Sequence, residues 1–193
     1  MGDIKLESKQ IAKAAAVAFG GVPQVHRYWD DSELNNIDIL SCSDSPWAGV
    51  IAYSTIGVSE MPLRKDGKEL SVRSEIVGAC GSQFPEFPNF LATAAFFVKK
   101  SGLLVAPGVI FPNVLDQYCD SSLMRHLLFL PPFLWEQRLS PLQLDEKIVT
   151  WLLAIPIAEA ELEFAVKNGV PSLEQLFEKE QIDVFDLNRL SVV

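Results

Sequence analysis

Ile11, Ala15 and Phe19 recur at i, i+4 and i+8 within an alanine-rich stretch. That spacing predicts a helix over 5–19, stopped by Gly20-Gly21. The segment 25–31 is short and aromatic, and helix and extended chain both stay open for it. Residues 37–41 and 49–54 are rich in Ile and Val and bounded by Asp, Ser and Pro. They read as strands with Pro46 in the turn between them. Asp66-Gly67 is a hairpin-type turn signal. Over 70–80 the chain alternates. Leu70, Val72, Ser74, Ile76 and Gly78 share one face, and Ser71, Arg73, Glu75 and Val77 the other. This predicts a half-buried strand in which Val77 is the exception.

Farther along, Phe90, Ala94, Phe97 and Val98 keep helical spacing after the prolines at 85 and 88. Lys99-Lys100-Ser101-Gly102 closes that helix with cations at the negative end of its dipole. Residues 103–123 lack periodicity and are expected to be irregular. Leu127–Leu130 and Ile148–Ile155 are continuous apolar runs, as in strands covered on both faces. A third helix is expected over 157–168, between Pro156 and Gly169. Ser172 and Gln175 have the spacing of a capping box that would open a fourth helix through about Lys179. No internal repeat and no linker is visible in the 193 residues. The expectation is one domain over 1–193, of α+β class, with a mixed, largely antiparallel sheet flanked by helices.

Composition narrows the function. Apolar residues make up 49% of the chain, enough for a sizeable core, which excludes disordered classes. Lys and Arg number 16 against 25 Asp and Glu, a net charge of −9. Phosphate neutralisation needs clustered cations, so direct nucleic-acid binding is not expected. Anionic membrane surfaces are disfavoured for the same reason. A basic partner suits the charge. Residues 143–193 alone hold ten acids and four bases, which is −6 of the −9. No apolar run reaches the ~20 residues of a membrane span. No secretory signal is visible, so the cytoplasm is the expected compartment.

Candidate chemistry is sparse. GxGxxG, P-loop, HExxH and GxSxG patterns are absent. The three cysteines, Cys42, Cys80 and Cys119, form no CxxC pair, so neither a disulfide framework nor a cysteine zinc site is expected. A thiol enzyme would need a cysteine beside a histidine, and Cys119 with His126 is the nearest pair in sequence. Asp30, Asp31 and Glu33 match no calcium loop, so no metal is expected. Glu159, Glu161 and Glu163 look like a carboxylate cluster. On a helix, Glu159 and Glu163 share a face with Lys167, which is the pattern of a solvated surface. No cofactor motif is present. The balance favours a binding protein over an enzyme using a cysteine or paired carboxylates.

Three stretches, in order, resemble the suppressor-of-fused (SUFU) family, and more closely its single-domain bacterial members that act as antitoxins. The first is Tyr53-Ser-Thr-Ile-Gly-Val-Ser-Glu-Met-Pro-Leu63. The second is Val72-Arg-Ser-Glu-Ile-Val-Gly78, with its acidic residue. The third runs from Ile155-Pro-Ile through the Glu-rich segment to Phe164, then Asn168-Gly169, Leu173–Leu176 and Asp186-Leu-Asn-Arg189. Residues 103–142 match nothing in that pattern.

The resemblance implies α/β/α layers and a non-enzymatic domain that recognises a protein. Bacterial members are similar to immunity proteins of polymorphic toxin systems, where the partner is a toxin, often a nuclease with a basic surface. Animal relatives instead sequester a regulatory protein, and an adaptor of that kind is the alternative. Under the toxin reading, Glu159, Glu163, Glu178 and Trp135 are the expected partner-binding residues. Trp29, Trp47 and Trp135 all fall in loop or edge contexts, unlike Trp151. Thr55, Gly57, Asp186 and Arg189 are expected to be architectural. Gly57 would supply backbone geometry that a side chain hinders, and Asp186 and Arg189, spaced i, i+3, would pair locally or with the sheet.

Overall fold

The computed structural model describes residues 5–65, 68–102, 105–118, 123–135 and 137–193. The chain begins with α1 (Leu6–Phe19). The strands β1 (Pro23–Trp29), β2 (Asn36–Ser43) and β3 (Val50–Ile56) follow. A small ladder pairs β4 (Arg64–Lys65) with β5 (Lys68–Glu69). The expected Asp66-Gly67 turn lies outside the described residues. Then come β6 (Val72–Gly81), α2 (Phe87–Ser101), β7 (Ile110–Phe111) and β8 (Met124–Leu130). The chain finishes with β9 (Leu142–Gln143), β10 (Ile148–Ala158), α3 (Glu159–Asn168) and α4 (Val170–Glu180).

One sheet runs in the order β1-β2-β3-β6-β10-β8-β7, with β9 also on β10. All its pairings are antiparallel except β6 with β10. The sheet is therefore mixed and largely antiparallel, as expected. Segment 25–31 resolves to the edge strand β1, largely exposed on both faces. The strand at 70–80 departs from the expected half-burial. β6 lies between β3 and β10, and helices cover both of its faces, so its buried Val77 is a core residue like Ile76.

Helices sandwich the sheet. On one face α2 packs Phe87, Phe90, Leu91 and Val98 against Ile39, Ile76 and Phe129. On the other, α1, α3 and α4 pack Ile11, Phe19, Ala165, Leu173 and Phe177 against Leu40, Val77 and Ile155. The close approach of α2 needs Gly78, because a Cβ there would sit 2.7 Å from the Phe87 ring.

The C-terminal boundaries shift from expectation. β10 continues through Pro156 to Ala158, so α3 starts at Glu159 rather than 157. Proline is tolerated in this central strand because of alternation. The Ile148 N–H donates to Ser71 on the β6 side, which places Pro156 on that same side, beyond the last β6 pairing at Leu153. No ladder bond is lost there. α4 starts at Val170 with proline in its first turn, and Ser172 donates back to the Asn168 carbonyl (2.9 Å). Ser172 is thus inside the helix and forms no capping box.

Candidate partner-binding surface

Two of the motif stretches meet at one buried carboxylate. Glu75 on β6 is fully buried and accepts five hydrogen bonds. The Thr55 hydroxyl donates at 2.6 Å and the Ser59 hydroxyl at 2.6 Å. The N–H groups of Gly57, Val58 and Ser59 donate at 2.9, 3.2 and 3.1 Å. Thr55 also accepts the Ile76 N–H at 2.8 Å. Burial pushes the Glu75 carboxyl above its ordinary range, and the two hydroxyls and the amides oppose that shift. Three successive amides can face one carboxylate only because the chain turns sharply at Gly57, whose φ is +116°. The residues of this cradle are buried, and its hydrogen bonds hold the turn after β3 against β6.

The third stretch closes on Arg189. Its guanidinium makes a bidentate pair with Glu161 at 2.6 and 2.8 Å. It also donates to the Pro156 carbonyl at 3.1 Å and lies 5.3 Å from the centre of the Phe177 ring. Glu161 in turn accepts the Ala158 N–H (2.9 Å), satisfying a donor at the start of α3, and the Val192 N–H (3.2 Å). Arg189 therefore ties β10, α3, α4 and the C-terminal segment together. Asp186 is not its side-chain partner; that carboxylate accepts the Asn188 N–H at 2.8 Å. Glu161, off the face that Glu159 and Glu163 share, is buried.

The acids expected at the surface are exposed, with a difference among them. Glu159 faces Arg125 (3.7 Å) and His126 (3.3 Å). Asp116 holds that same arginine through two hydrogen bonds of 2.8 and 2.7 Å. By contrast, no cation lies within ion-pair distance of Glu163, Glu174 or Glu178 among the described residues. These three exposed carboxylates are uncompensated negative charges on α3 and α4.

Trp135 corrects an expectation. It is 1% exposed and packs 4.6 Å from Phe19, ring centre to ring centre, in the core. It cannot touch a partner in this fold. The aromatic that the same turn presents outward is Phe133, 43% exposed. In a 3-10 turn of three residues per turn, side chains two apart diverge by about 120°, so with Trp135 inserted into the core Phe133 faces away from it. Nothing in the local sequence says which of the two goes in. Trp29 and Trp47 are half-exposed, the latter against Phe185.

The thiol and carboxylate alternatives find little support. Cys42 and Cys80 are buried, and burial pushes both thiols up, away from the reactive thiolate. Cys119 lies outside the described residues. His126 is buried, and its Nδ1 accepts the Asn113 N–H (3.0 Å), which leaves the proton on Nε2 facing Glu159. Burial pushes its pKa down. Among the described residues no group of three His, Cys, Asp or Glu is placed to hold a metal ion. No helix among them is long and apolar enough to cross a membrane.

The sequence matches the suppressor of fused protein (SUFU) family over residues 33–190. The chain belongs to the SUFU family. It is 46% identical over 187 residues to a Bacillus subtilis (strain 168) protein named immunity protein YqcF, covering 97% of both chains. Among solved structures, a SUFU homologue from Neisseria gonorrhoeae superposes with a TM-score of 0.73 at 18% identity, covering 97% of each chain. The Sufu–Fu complex gives 0.66 at 14% identity, over 96% of this chain and 92% of that one. Drosophila Suppressor of Fused gives 0.56 at 16%, over 88% of this chain and 42% of that chain. These low-identity structures share the SUFU fold. The Glu75 cradle and the Arg189 closure both fall within the family-matched span.

Proposed function

We propose that the chain is a non-enzymatic immunity protein, a single SUFU domain that binds a cognate toxin in the cytoplasm and blocks it. The observation that carries this reading is the 46% identity, over 97% of both chains, to the Bacillus immunity protein. The charge supports it: a net −9, with uncompensated acids on α3 and α4, complements a protein that must itself attract phosphate. On that ground the toxin is a nuclease with a basic surface. Binding uses the outward carboxylates Glu163 and Glu178, with Glu159 beside them. Such charges mainly raise the rate of encounter. Thr55, Gly57, Asp186 and Arg189 serve the architecture.

Co-expression with the toxin encoded in the adjacent gene tests the reading. Cells making the toxin alone should die, and cells making both should grow. Continued killing at high levels of the folded chain would refute it.

A further inference from the structure

Beside α4 the surface opens into a groove of about 480 Å³. Its apolar walls come from Leu130, Phe133, Ile155 and Ile182. Glu174 and Glu178 stand one helical turn apart along its rim. We propose that this groove is the anchor point for the toxin, taking an apolar side chain flanked by Lys or Arg; the inference rests on the immunity reading above.

The chemistry of the rim selects the occupant. Both rim carboxylates lack an ion-pair partner among the described residues and are exposed, so a cation brought to them meets no competing cation of this chain. Phosphate would be repelled, which excludes nucleic acid and anionic lipid. A second copy related by a two-fold axis would bring the same acidic rim towards itself. A basic protein segment with a central apolar residue satisfies walls and rim together. That arrangement, an apolar anchor inside a polar rim, is how binding energy concentrates in interfaces.

The test uses the purified toxin encoded in the adjacent gene and two variants of the full chain. Phe133→Ser removes an apolar wall, and Glu174→Lys with Glu178→Lys reverses the rim. Phe133→Ser should weaken binding at least tenfold, mainly through faster dissociation. The charge reversal should slow association several-fold. Melting temperature and sedimentation of the chain alone accompany each measurement. Wild-type affinity and rates in either folded variant overturn the groove while leaving the immunity reading standing. Should Phe133→Ser fail to fold, the charge reversal decides alone. A wild-type chain that does not bind the toxin at all overturns both. A wild-type dimer that Phe133→Ser dissociates assigns the groove to a second copy and overturns the proposal.

Discussion

Arg189 and Glu161 are 28 residues apart in sequence, and their side chains form a buried bidentate ion pair beneath α4. Breaking a buried pair by removing one member leaves the other charge unsolvated, at a cost of about 3–5 kcal/mol. Arg189→Met should therefore lower the urea midpoint severely. Arg189→Met combined with Glu161→Leu should recover part of the loss. Recovery stays incomplete, because the N–H groups of Ala158 and Val192 also lose their acceptor. Equal stability of wild type and Arg189→Met would show that the C-terminal segment is not a clasp.

The Glu75 cradle makes a similar forecast for Gly57. A side chain there must adopt φ near +116°, and a Cβ would already stand 3.4 Å from Ile37. Strain of this kind costs about 1–3 kcal/mol, and Val adds β-branching to it. Gly57→Val should lower the melting temperature while its folded fraction binds toxin like wild type. A Gly57→Val protein of normal stability with lost affinity would make Gly57 an interface residue.

Asp30 gives the pH dependence. Its buried carboxylate accepts hydrogen bonds from the Asn35 side chain, the Ser32 hydroxyl and the N–H groups of Leu34 and Asn35, with Lys100 at 3.3 Å. The Asn35 side chain is the largest of the influences that hold its pKa well below the usual carboxylate range. An acid whose folded pKa is depressed contributes stability above its unfolded pKa and loses it as pH falls towards the folded value. The contribution is thus complete at neutral pH and declines below about pH 4. Urea midpoints at pH 7 and pH 3 should differ less in Asp30→Asn than in wild type. An identical pH slope in both would remove Asp30 from the account.

Much of the fold was legible because its signals were local. The helix at α1, the central strands β8 and β10 and the Lys-Lys-Ser-Gly stop of α2 all follow from periodicity and caps. What escaped depended on contacts distant in sequence. Val77 looked like an irregularity because alternation cannot announce that helices cover both faces of β6, α2 over Ile76 and α1, α3 and α4 over Val77. Glu161 stood apart from the face that Glu159 and Glu163 share, but nothing local named Arg189 as its partner. Trp135 went into the core instead of outward because it packs on Phe19, more than a hundred residues away.

The acids of α3 divide into two kinds, and kinetics can separate them. Glu163 is unpaired among the described residues, whereas Glu159 already faces Arg125 and His126. Glu163→Lys with Glu178→Lys should slow toxin association and flatten its dependence on salt. Stability should change by only about 0–1 kcal/mol, since both positions are exposed. Stopped-flow traces at low and high salt would read this. Unchanged rates would move the interface off α3 and α4.

The central claim is that this chain neutralises a toxin by binding it. Titration calorimetry of the purified chain into the purified toxin encoded beside it, with residual toxin activity followed in the same samples, tests that claim directly. The account predicts a saturable complex and toxin activity that falls in step with its formation. Full toxin activity in the presence of excess folded chain, with no heat of binding, would contradict it.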